Sequence, residues 1–155
     1  NLEIKKRLDQ TILILSSDSG SSYLNSDGTP LDKISSEMGM LLVQQNTTLT
    51  PIEAEEITSS KKGSEYRGRA LPLMKVISKN EKDKLINVYL NIYSGEVTAI
   101  RSMQWKIWDV MWGFHIMDWQ ERDNIDNIFL KIFSILALVS SITGILLFFK
   151  IDFKK

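Results

Sequence analysis

Cysteine is absent from this sequence, and histidine occurs once, at position 115. Without thiols there is no disulfide, no iron–sulfur cluster, no covalent haem through Cys-x-x-Cys-His and no cysteine nucleophile. One imidazole without a thiol leaves no obvious metal cluster. A cysteine-free domain suits a bacterial periplasm as well as a cytoplasm, so the redox compartment stays open. Excess charge is absent too: 19 basic residues balance 19 acidic ones, for a net charge of +0. Nucleic acid needs a basic surface or stripe, and this balance argues against it as a partner. The 155 residues suffice for one ordinary domain and a short extra element. The chain begins at Asn1 rather than Met, which leaves room upstream for a signal or a first membrane span.

Charge is also missing locally. Residues 132–149, IFSILALVSSITGILLFF, carry none. At ~1.5 Å per residue a helix here covers roughly 27 Å, close to the hydrocarbon thickness of a bilayer. Asn127-Ile128-Phe129-Leu130 extend it upstream, and Lys131 can snorkel to the headgroups. The rest of the chain is too small to surround a helix apolar on every face, so the expectation is a transmembrane helix over residues 128–149. Lys150, Lys154 and Lys155 crowd its C-terminal side, while Arg122 and Lys131 stand among Asp118, Glu121, Asp123 and Asp126 on the other. The positive-inside rule then favours a cytoplasmic tail over residues 150–155 and a domain outside the cytoplasm. Ser134, Ala137, Ser141 and Gly144 recur at helical spacing, with Ser140 beside them. Such small-xxx-small pairs let another helix approach closely, so the expected partners are the lipid bilayer and helices of other membrane subunits.

Before the span, residues 102–120 hold all four tryptophans: Trp105, Trp108, Trp112 and Trp119. Indole rings favour the membrane–water interface, which suggests an interfacial helix that turns into the span through a connector ending near Asn127. Upstream, residues 10–16 are rich in β-formers, and the turn-rich stretch after them suggests a short hairpin around Tyr23-Leu24. Thr29-Pro30-Leu31-Asp32 and Thr50-Pro51-Ile52-Glu53 both read as helix starts, with threonine at the cap, proline at the first position and a following carboxylate. The first helix is expected to run towards Gln45, and Ile52 and Ile57 to lie on the second. Residues 73–78, 84–92 and 96–101 read as strands, with Ser94-Gly95 turning the last two into an antiparallel pair. Val88, Leu90 and Ile92 should share one face, with Val76 and Val97 as cross-strand neighbours.

TPIEAEEI, YRGRALPLMKV and VYLNIYSGEVTAIR together resemble a PepSY domain. The following WKIWDVMWGFHIMDWQERDNIDN and the span containing Thr143-Gly144 resemble the PepSY-associated transmembrane proteins, with Phe114 where that family usually has leucine before the histidine. The resemblance covers residues 50–149. It implies an α+β class: a PepSY-like helix and antiparallel sheet outside the cytoplasm, an interfacial aromatic helix and one C-terminal span. The organisation expected is an N-terminal α/β extension over 1–49, the PepSY-like domain over 50–101, the tryptophan-rich helix and connector over 102–127, the span and the tail. Family members occur beside peptidase propeptides and in membrane proteins of iron acquisition and reduction, some of which bind b-type haem.

Three function classes follow. The first, and the expectation, is a non-catalytic single-pass subunit of a bacterial inner-membrane complex for respiration or metal reduction, with no resident cofactor. The second is a b-haem electron-transfer subunit using His115. Met111 lies one turn away on the same helix face and cannot reach the opposite side of that iron, so a second ligand would come from another helix or chain. The third is a periplasmic peptidase regulator. The bland reading of His115 is an interfacial histidine anchored through Asp118. The Ser17-Asp18-Ser19-Gly20 and Asn25-Ser26-Asp27-Gly28 stretches lack a full calcium loop and read as turns. Glu53, Glu55 and Glu56 read as carboxylates at a helix start, and Lys61-Lys62 with Arg67 and Arg69 as a solvated basic loop.

Overall fold

The structure, a computed structural model, describes residues 1–18 and 20–152. The chain is α+β and divides into two compact units, Asn1–Lys106 and Ile107–Lys155.

The first unit holds two antiparallel sheets and a helix. Strands β1 (Leu2–Arg7), β2 (Gln10–Ser17) and β3 (Gly20–Asn25) form one sheet in the order β1-β2-β3. Helix α1 (Ser36–Asn46) follows, and β4 (Thr50–Ile57), β5 (Leu73–Lys79), β6 (Leu85–Asn91) and β7 (Val97–Ser102) form a four-stranded meander in chain order. The β6–β7 pair is antiparallel, as the short Ser94-Gly95 connection requires. Gly95 takes a positive φ of 71° there, and a Cβ at that position would lie 2.6 Å from Leu42 Cδ1. Asn91 closes the turn by accepting the N–H groups of Tyr93 and Ser94 on its side-chain oxygen.

Val88, Leu90 and Ile92 share one face as the alternation requires, and pack with Met74 and Val76 against Ile34, Leu42 and Val43. Burial of each such side chain contributes roughly 1.5–3 kcal/mol. Val97 pairs with Leu90 in register but stays at the surface. Tyr89 points to the other face, where Tyr66, Leu73 and Ala99 make a second small core. Ile12, Ile14 and Leu31 make a third, and Tyr93 packs against both it and the main core while stacking on Tyr23 at 5.2 Å.

Two expected helix starts are corrected. Helix α1 begins at Ser36, where Ser35 caps it by accepting the Met38 N–H at 3.2 Å. The earlier Thr29-Pro30-Leu31 stretch is extended: Pro30 bridges to Leu24, Leu31 fills the third core, and the Ile34 N–H bonds the Ile92 carbonyl. Residues 50–57 form a strand, not a helix. As the outer strand beside β5 it tolerates Pro51 and three glutamates. The register slips between Pro51 and Glu53, which leaves Ile52 as an exposed bulge residue. Ala54 and Ile57 reach the first and second cores, and Glu55 pairs with Lys75 directly across the strands at 2.7 Å. Glu56 meets Lys33 at 2.6 Å. The helix packed on the sheet is therefore α1, which crosses the boundary expected at residue 49 to contact β4 and β5. β1, whose Leu2 and Ile4 face solvent, had no sequence expectation.

The second unit is helical. Helix α2 (Met103–His115) continues into it from the first, and α3 (Ile128–Asp152) ends the described chain. α3 covers ~37 Å at 1.5 Å per residue. Among the described residues it is the one helix long and apolar enough to cross a membrane, and none of its apolar window is buried.

Candidate functional site

The site is built on α2, the connector and α3. Ser102, the last residue of β7, starts α2 by accepting the Trp105 N–H at 3.2 Å on its hydroxyl. The helix is inverted relative to a helix of a soluble core. Asp109 is buried at 1% exposure and Gly113 is buried, while Ile107, Trp108, Met111 and Phe114 are exposed. Trp108 and Trp112 stack at 5.9 Å, almost parallel, and Trp112 meets the His115 ring at 5.7 Å. Exposed apolar surface of this kind marks a contact surface for protein or membrane.

Asp109 accepts from the Arg122 guanidinium at 2.6 Å, which ties the connector to α2. Gly113 permits this approach: a Cβ there would lie 2.8 Å from both Arg122 Cγ and the Asp118 carbonyl oxygen. Helix α2 ends in a Schellman arrangement. The Asp118 N–H bonds the Gly113 carbonyl, the Met117 N–H bonds the Phe114 carbonyl, and Met117 takes a φ of 57° where glycine is usual. Asp118 does not anchor His115. Its carboxylate instead gathers the N–H groups of Glu121, Asp123 and Asn124 at 3.0–3.2 Å. Slight desolvation works against its charge, but these backbone bonds outweigh it and hold the carboxyl below the usual range. Asn127 caps α3 by accepting the Leu130 N–H at 2.9 Å, and its amide donates to the Ile116 carbonyl at 2.7 Å. Trp119 lies in this connector between Phe114 and Phe129.

The expected residues therefore fall into separate groups. Trp108, Trp112 and His115 form one exposed aromatic row, and Trp119 belongs to the connector cluster. Trp105 is half-buried in the first unit, under Arg101 at 4.2 Å and Arg67 at 5.7 Å. On α3, the side chains of Ser134, Ala137, Ser140, Ser141 and Gly144 are exposed, and a Cβ added at Gly144 would meet open space. Three of the α3 hydroxyls are turned back on their own helix: Ser134 donates to Leu130, Ser141 to Ala137 and Thr143 to Val139, at 2.7–2.8 Å.

His115 stands alone as the chain's imidazole. It is exposed at the end of α2, and a six-coordinate iron needs a second axial ligand that this one-histidine chain cannot supply as imidazole. No group of three or more His, Cys, Asp or Glu side chains able to hold a metal occurs among the described residues.

One charged constellation escaped sequence reasoning. In the first unit an open depression of about 590 Å³ is lined by Glu65, Tyr89, Asn87, Lys75 and Lys106 among others. Glu65 accepts from Lys106 at 2.6 Å on one carboxylate oxygen, and from Asn87 at 2.8 Å and Tyr89 at 3.1 Å on the other. Desolvation disfavours the Glu65 charge, yet Lys106, Asn87 and Tyr89 together hold its carboxyl below the usual value. Burial, then the Glu65 charge, pushes the Tyr89 phenol up. A carboxyl lowered in the folded state stabilises above its unfolded value, and that contribution disappears as pH falls through the folded one. Acid titration of the folded chain is expected to show a destabilising step below about pH 4.3, the ordinary glutamate value. Glu65→Gln should reduce the step. An identical acid profile in the variant, measured by circular dichroism, would show that Glu65 does not contribute.

The depression has the residues of an ion-paired surface, with no nucleophile–base pair and no metal set. Comparison with protein-family models, with curated proteins and with solved structures finds no match to the chain.

Proposed function

We propose that this chain is a non-catalytic, single-pass subunit of a bacterial inner-membrane complex. In this reading α3 crosses the bilayer, the aromatic row of α2 lies at the interface, and the first unit is a PepSY-like domain on the periplasmic side. Respiration or metal reduction is the setting the family resemblance implies. The observation that carries the reading is the apolar character of α3 on every face, with a small-residue side left open. Burial of apolar surface gives helices little reason to associate in lipid, so close backbone approach must drive contact. The antiparallel meander with its Ser94-Gly95-Glu96-Val97 turn supports the PepSY comparison. The strand at residues 50–57 departs from it, since the family pattern has a helix with Glu-Ala there. No observation favours the peptidase-regulator reading or a haem on His115.

The test is co-purification in mild detergent with mass spectrometry of the partners. Gly144→Leu places a bulky side chain on the open face and should reduce partner recovery several-fold. Ile135→Leu, about 180° round the helix from Gly144 at 100° per residue, should leave recovery unchanged. Equal recovery by wild type and Gly144→Leu would count against a contact at this face.

A further inference from the structure

β1 is an outer strand of its sheet, with β2 on one side only. Its first contact fixes which backbone groups face the free edge. Asn1 and Ser16 exchange two bonds: the Ser16 N–H donates to the Asn1 carbonyl at 2.8 Å, and the Asn1 amine to the Ser16 carbonyl at 2.7 Å. From there the register runs without a shift from Leu2↔Leu15 to Arg7↔Gln10. Hydrogen-bonded pairs alternate in an antiparallel ladder, so Glu3, Lys5 and Arg7 bond to β2, while the N–H and C=O groups of Leu2, Ile4 and Lys6 point away from it. Unpaired edges recruit other strands, and proteins blunt them with proline, bulges, charge or covering segments. Two other outer strands carry such devices: β4 has Pro51, a register slip and three glutamates, and β3 is covered by the Pro30 bridge to Leu24. β1 has neither proline nor register shift. Its Lys5 charge is matched by Glu3 at 3.1 Å and Glu96 at 2.6 Å, and Leu2 and Ile4 are 56% and 67% exposed.

We propose that β1 pairs antiparallel with β1 of a second copy of this chain, about a two-fold axis through Ile4. Bond parity and charge together select this register. Ile4 faces Ile4 of the second copy and Leu2 faces its Lys6, and all of these residues have outward N–H and C=O groups, so bonds form in both directions. Glu3 falls directly opposite Lys5 of the second copy, and the two-fold axis repeats that contact. Since Glu3 already meets Lys5 within its own chain, the four side chains form one network of alternating charge. Moving the axis to Glu3 or to Lys5 keeps the bond parity but sets like charges opposite each other, which is destabilising. Moving it by half a residue opposes outward groups to inward ones. The exposed Ile4 gains an apolar neighbour on its own face in the favoured register alone.

The experiment uses the full chain in mild detergent, with protein mass corrected for bound detergent and followed against concentration by light scattering. A dimer is expected for the wild type. Ile4→Pro removes an N–H that β2 does not use, a change an edge strand tolerates, and should leave the chain monomeric with the circular dichroism of its sheets unchanged. Glu3→Lys sets lysine against Lys5 at both symmetric contacts and should weaken the dimer about tenfold. The absence of native cysteine allows a second reading by cross-linking. Facing Ile4 residues stand about 5.5 Å apart at Cα, within the disulfide reach of about 4.4–6.8 Å. Leu15 lies at least three strand spacings, roughly 14 Å, from its counterpart. Mild oxidation should therefore link Ile4→Cys several-fold more than Leu15→Cys. A monomeric wild type, a dimer that survives Ile4→Pro, or equal cross-linking of the two cysteine variants would overturn the pairing. The pairing does not rest on the membrane reading, which is scored separately by resistance to carbonate extraction.

Discussion

Asp109→Ala is expected to destabilise the second unit by about 2–4 kcal/mol. Breaking a buried ion pair from one side costs about 3–5 kcal/mol, because the remaining charge is left without its partner. The range is lowered here because the Arg122 side chain is 24% exposed and regains some water. The loss acts on architecture as well as stability, since the pair ties the connector to α2. Gly113→Ala probes the same joint from the other side, where a Cβ meets the Asp118 carbonyl oxygen at 2.8 Å. Both variants should lower the thermal midpoint in detergent and weaken the near-ultraviolet circular dichroism of the Trp108–Trp112 stack. Asp109→Asn keeps an acceptor for Arg122 and should lose less. Unchanged midpoints in Asp109→Ala would show that the ion pair does not hold the connector.

Leu90→Ala should cost about 2–5 kcal/mol in the first unit, the usual penalty for emptying a fully buried leucine site. Leu90 is 0% exposed and lies on the central strand face between Met74, Val88 and the α1 residues Leu42 and Val43. Two packed layers surround it, so the site has little room to collapse. Ile100→Ala, on the neighbouring strand but 46% exposed, should cost less than about 1 kcal/mol. Urea unfolding in detergent, followed by circular dichroism of the sheet, separates the two. Equal losses would mean that the core does not sit where the β6 alternation puts it.

That alternation explains why the meander was legible in the sequence. Strands β5, β6 and β7 carry enough β-branched and aromatic residues, and a short enough Ser94-Gly95 turn, for local pattern and pairing to agree. Residues 50–57 show the opposite. Their Thr-Pro-x-Glu start is a sound helix signal, but the outer edge of β5 offers Ala54 and Ile57 a core and Glu55 a cross-strand lysine, and tertiary pairing overrides propensity. β1 gave little signal because its alternating Leu2 and Ile4 lie on the solvent side, where alternation does not report a core.

The α3 helix was legible for a different reason: absence of charge over a bilayer's thickness needs no tertiary partner to be meaningful. The tryptophans were legible only in part. Composition marked them all as interfacial, yet Trp105 is a platform for two arginines, Arg67 and Arg101, which lie far apart in sequence. Sequence spacing cannot bring Arg67 and Arg101 to one ring; the fold of residues 58–72 against the β6–β7 face does, through Tyr66 on Tyr89 and the Arg101 bond to Glu65. Arg67, read with the solvated basic loop, is one of the two arginines on that ring.

The central claim is that α3 spans a membrane with the first unit outside the cytoplasm and the lysine-rich end inside. Lys154 and Lys155 lie outside the described residues, so the orientation rests on sequence. The absence of native cysteine makes it directly measurable. Ser22→Cys, on exposed β3, and Lys155→Cys are introduced singly, and intact spheroplasts are treated with a membrane-impermeant maleimide. The account predicts labelling of Ser22→Cys in intact spheroplasts and of Lys155→Cys only after lysis. Labelling of Lys155→Cys from outside with Ser22→Cys protected, or labelling of both before lysis, would contradict it.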